Sequence, residues 1–101
     1  MRVMIDLCIV PLGVGVSVSE YISECQIVIK RARLQSQMHP YGTVIEGEWD
    51  LVMGVVKQCH EKVHEMGAPR ITTTLKIGTR TDREQSMKDK IDSVVDKLNA
   101  I

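Results

Sequence analysis

A chain of 101 residues holds one compact domain and is too short for two, so a single domain over residues 1–101 is expected. Its 13 basic and 13 acidic residues cancel, leaving no surplus to drive nucleic-acid binding and no charged tail. Three aromatic residues, Tyr21, Tyr41 and Trp49, argue against a base-stacking platform for single strands.

Val3, Ile5, Leu7 and Ile9 alternate with Met4, Asp6, Cys8 and Val10, which predicts a two-faced strand ending at Pro11. After a Gly13-Val14-Gly15 loop, Ser17 and Glu20 read as a capping box. The helix that follows carries Val18, Ile22, Cys25, Ile29 and Ala32 at helical spacing. It ends in Lys30, Arg31 and Arg33, the charge sign a helix C-terminus favours. A weaker strand, about Leu34 to His39, turns through Pro40-Tyr41-Gly42 into a strand from Thr43 to Glu48. A second helix starts near Asp50 with the stripe Val52, Val55, Val56, Cys59, Val63 and Met66, and stops at Gly67. Ile71, Thr73, Leu75 and Ile77 alternate with polar residues in a fourth strand. Thr81 and Glu84 read as a box before a last helix bearing Met87, Ile91, Val94, Val95 and Leu98.

The order β-α-β-β-α-β with an extra C-terminal helix is that of an α+β, ferredoxin-like fold with an antiparallel sheet. Helices on one face leave the other open, with Met4, Cys8, Val10, Val44 and Glu46 on it. Such a partly apolar face predicts self-association into a dimer or tetramer. Cys8, Cys25 and Cys59 are odd in number, far apart and set in apolar contexts, so they read as buried thiols of a reducing compartment. Asp6 interrupts the N-terminal apolar stretch, and no apolar run reaches the length of a bilayer span. The expectation is a soluble cytoplasmic protein with no membrane or nucleic-acid partner.

His60-Glu61-Lys62-Val63-His64 formally matches the zinc-protease H-E-x-x-H. Arg70 stands where a third histidine would fall, Lys62 lies between the proposed ligands, and both histidines sit about 100° from the apolar stripe. The reading is a solvated helix flank and no metal site. The Gly13-x-Gly15 loop lacks the third glycine of a dinucleotide turn and the lysine of a P-loop. Asp6 and Glu46 share the open face and suit either acid–base work or a bound cation. No catalytic constellation assembles from the remaining residues. Three classes stay open at this point: a binding protein, a small sheet-dimer enzyme of the oxygenase or isomerase type, and a ligand-free interaction module.

The segment Tyr41-Gly42-Thr43-Val44-Ile45-Glu46-Gly47-Glu48 places two carboxylates and a threonine between strand glycines, where a ligand or another backbone comes close. Together with Gly15 to Tyr21 and Arg70 to Asp82, it resembles the thiamine-binding protein family over nearly the whole chain. The resemblance implies a ferredoxin-like fold, assembly through the sheets, and binding of thiamine or its hydroxymethylpyrimidine part without catalysis or cofactor. It points to Ser17, Ser19, Thr43 and Glu46 as ligand neighbours. Tyr41 adds a ring for stacking and Glu48 a second counter-charge to the thiazolium. No phosphate motif is evident, which favours free thiamine over its diphosphate.

Overall fold

A computed structural model describes residues 1–101. The elements are β1 (Arg2–Leu12), α1 (Ser19–Arg31), β2 (Gln35–His39), β3 (Gly42–Glu48), α2 (Trp49–Glu65), β4 (Arg70–Gly78) and α3 (Met87–Asn99). One antiparallel sheet has the order β2-β3-β1-β4. The fold is ferredoxin-like α+β with a further C-terminal helix, as the periodicity predicts.

β1 is the central strand because its inward residues Val3, Ile5, Leu7 and Ile9 are all buried. They meet Cys25 and Ile29 of α1 and Val52, Val55, Cys59 and Val63 of α2. The spacing 52, 55, 59, 63 keeps those side chains on one helical face. Cys25 and Cys59 belong to this core. The hydrogen bond they share, with burial, holds the Cys59 thiol far above its ordinary range. Cys8 departs from expectation and lies only half-buried on the open face.

Gly42 is required by close approach. A Cβ there would stand 2.5 Å from the Leu7 carbonyl oxygen. The turn Pro40-Tyr41 joins β2 to β3, with His39 paired to Gly42. Gly67, at φ +108°, follows the α2 C-cap residue Met66 and ends the helix as predicted.

Neither predicted capping box forms at its predicted residues. The N-cap of α1 is Val18, without a side-chain bond, because the Val18 carbonyl accepts the first helical hydrogen bond, from Ile22 N–H. The box before α3 is formed by Ser86 and Asp89, not Thr81 and Glu84. Arg80 binds Asp82 and Gln85, which keeps this stretch a loop until Ser86. α3 buries none of its residues, and Ile91, Val94, Val95 and Leu98 are exposed. His60 also departs from expectation. It is half-buried against β4, 2.6 Å from the Thr73 hydroxyl, while His64 Nδ1 lies 2.8 Å from the Ala68 carbonyl.

Candidate ligand cavity at the end of β3

β1 and β3 stay paired only from Arg2–Glu48 to Leu7–Thr43. Beyond Leu7, the β3-facing edge of β1 has no strand partner. A cavity of ≈ 610 Å³ occupies this notch, between the β2–β3 turn and the first turns of α1. Leu7, Ile9, Val18, Ile22 and Met38 wall it on the helix side, and Cys8, Val10 and His39 on the open side. An apolar cleft of this size with a few convergent polar groups is the usual form of a small-molecule site.

Three polar features converge there. Thr43, 4% exposed, accepts a hydrogen bond from Gln26 Nε2 at 2.8 Å. This leaves the Thr43 hydroxyl proton and the Gln26 carbonyl oxygen without a protein partner, a donor beside an acceptor. On the open side, His39 Nε2 lies 2.7 Å from Asp6 Oδ1. The Tyr41 backbone N–H donates to His39 Nδ1 at 3.3 Å, so the ring proton sits on Nε2 and is donated to Asp6. Tyr41 places its ring at the mouth, 86% exposed.

The residues singled out by sequence divide between two places. Tyr41 and Thr43 line the cavity. Ser17 and Ser19 are exposed and do not line it, although Val18 between them does. Glu46 and Glu48 do not line it. Side chains three positions apart on a strand point to opposite faces, so Thr43 looks toward α1 and Glu46 toward the open face. Glu46, 5% exposed, accepts the Met87 backbone N–H at 3.0 Å and anchors the start of α3. Glu48 pairs with the N-terminal ammonium at 3.1 Å. Asp6 and Glu46 are likewise not a pair, since Asp6 stands opposite Val44 and Glu46 opposite Met4.

Sequence reasoning missed Gln26 and His39. Gln26 carried a signal: a polar residue in the row Val18, Ile22, Gln26. His39 stands in the sequence only as the end of the weaker strand, and its bond to Asp6 is visible only once β2, β3 and β1 are aligned.

The family model of thiamine-binding proteins matches residues 5–95. The chain belongs to the thiamine-binding protein family. A UPF0045 protein of Synechocystis is 58% identical over 94 residues, covering 93% of this chain and 78% of that protein. One from Eremothecium gossypii is 45% identical over 100 residues, covering 98% and 95%. A crystal structure of a Methanocaldococcus jannaschii protein superposes with a TM-score of 0.86 at 32% identity, over 93% of this chain and 96% of that one. Membership in the thiamine-binding family fits a fold with an apolar cavity that ends in a hydroxyl, an amide and an aromatic ring. No helix is long and apolar enough to cross a membrane.

Proposed function

We propose that this protein binds thiamine, or its hydroxymethylpyrimidine part, in the notch at the end of β3, without catalysing a reaction on it. The observation that carries this reading is the Thr43–Gln26 pair at the base of an apolar cavity. An aminopyrimidine presents a ring-nitrogen acceptor beside an amine donor. The free Thr43 O–H and the free Gln26 carbonyl match that edge. Leu7, Ile9 and Ile22 pack on the ring faces. Tyr41 offers its ring to the thiazolium at the mouth, with Ser17 and Ser19 next to Val18 of the wall. Asp6 does not line the cavity itself but is bonded to His39, which does, and with its side chain 42% exposed it takes the counter-ion role at the cavity's edge, in place of Glu46 and Glu48. The Asp6–His39 pair acts here as a brace. The ring nitrogen that a general base would turn to its substrate is occupied by the Tyr41 N–H.

Self-association completes the proposal. Beyond the loop that follows β4, the open face shows Cys8, Val10 and Val44, and α3 carries an uncovered apolar stripe. A second copy would cover such surface, giving a dimer or tetramer. Calorimetric titration with thiamine tests the ligand. The wild type should bind saturably, and Thr43→Val and Gln26→Ala should each weaken it about tenfold, the value of a hydrogen bond lost in a dry site. Unchanged affinity in both variants would overturn the site. Light scattering tests the assembly, and a stable monomer at micromolar concentration would sink it.

A further inference from the structure

At the opposite end of β1 and β3 lies a second cavity, of ≈ 560 Å³, with a different chemistry. Its floor is bare sheet. Met4 pairs there with Gly78, which has no side chain, and a Cβ at Gly78 would meet nothing closer than 3.9 Å. Its roof is the loop from Thr79 to Ser86. That loop leaves β4 and is fixed above β3 by the Glu46–Met87 hydrogen bond, so it spans the open face across β1. The bonds from Arg80 to Asp82 and Gln85 stiffen it. The Arg80 guanidinium holds the Asp82 carboxyl at about 2, so this brace is charged throughout the neutral range.

Arg2, Arg80, Arg83 and Lys90 all line this cavity, against two carboxylates, Glu46 and Glu84. Arg80 is paired with Asp82, while Glu46 accepts a neutral backbone N–H from α3 and keeps its charge. Arg2, Arg83 and Lys90 form no ion pair. Val3 and Met4 are the only apolar residues of the lining. The lining carries four cations against two carboxylates, a local positive surplus in a chain whose charges otherwise cancel. An anion between Arg2, Arg83 and Lys90 offsets that surplus, and two guanidinium forks suit the oxygens of a phosphate.

We propose that this cavity is a phosphate-group site, held by Arg2, Arg83 and Lys90, for a free or organic phosphate. It stands apart from the thiamine cavity and does not depend on it. No motif announces it, because its cations come from β1, the loop and α3.

The test titrates inorganic phosphate, pyrophosphate and glycerol phosphate into the full chain at constant ionic strength. Saturable binding is expected in the wild type. Arg83→Gln with Lys90→Gln should weaken it tenfold or more. Lys30→Gln with Arg31→Gln, the same charge loss at the far end of α1, should leave it unchanged. A glycerol phosphate affinity above that of free phosphate identifies an organic phosphate as the ligand, and equal affinities identify the free ion. No saturable binding of any probe, or equal loss in both double variants, would overturn the proposal. Thiamine titrated into the same variants keeps the two sites distinguishable, since loss of the phosphate site leaves thiamine binding intact.

Discussion

The two ends of β3 are seven residues of one strand, yet they build opposite environments. At the Gly42–Thr43 end, strand pairing stops early and leaves an apolar notch with a neutral hydroxyl–amide pair. At the Glu46–Glu48 end, the carboxylates are bound to a helix N-terminus and to the chain's ammonium, beside a basic cavity. A motif that is continuous in sequence is thus divided by the two-residue period of a strand. Threonine and glutamate of the same box serve different sites.

The largest expected effect tests the packing contrast between the ends. Gly42→Ala forces a Cβ to within 2.5 Å of the Leu7 carbonyl oxygen and should cost about 2–3 kcal/mol in urea unfolding. Gly78→Ala, at the other end of β1, meets open space and should cost well under half as much; equal losses would mean that the notch is not tightly built. Next comes the functional contrast. Thr43→Val should cost about 1–1.5 kcal/mol of thiamine affinity by calorimetry. Glu46→Gln should leave that affinity unchanged while loosening α3, and equal losses would return both residues to one site. Ser86→Ala removes the α3 cap and should cost about 1 kcal/mol of helix stability, read as faster amide exchange over the first turn of α3. The exchange of β3 at Thr43 should not change. The smallest effect is a pH slope. Burial, helped by the neighbouring His64, holds the His60 pKa below its ordinary 6.5. The unfolded chain therefore binds the proton more readily. Stability should fall as pH drops below that value, and His60→Gln should flatten the slope of melting temperature against pH.

Much of the architecture was legible because it rests on periodicity. The alternation in β1 and β4 and the 3–4 spacing in α2 each state a face, and those faces close on one another. Helix starts were less legible. A serine with an acid three residues on occurs at Ser17 and again at Ser86, and only the second is a cap, because loop geometry decides which carbonyl begins the ladder. The candidate site was half legible. Thr43 and Tyr41 stand in the box, but Gln26 reaches Thr43 from α1, and Asp6 meets His39 across three strands. The cations of the second cavity were invisible for the same reason, since Arg2 and Lys90 are brought together only by closing the sheet.

The central place of β1 also shapes how the chain must fold. It is made first, and its partners β3 and β4 come much later, with β4 alone covering the edge from Cys8 to Leu12. The hairpin of β2 and β3 is the only strand pair that forms locally. A chain emerging from the ribosome therefore carries its most apolar strand with one edge unpaired until β4 is available. Most contacts of the sheet are non-local, which slows closure and prolongs exposure of that strand. A fragment ending at Gly67 would keep both core helices and still leave one side of β1 open, so synthesis of β4 commits the rest to its fold.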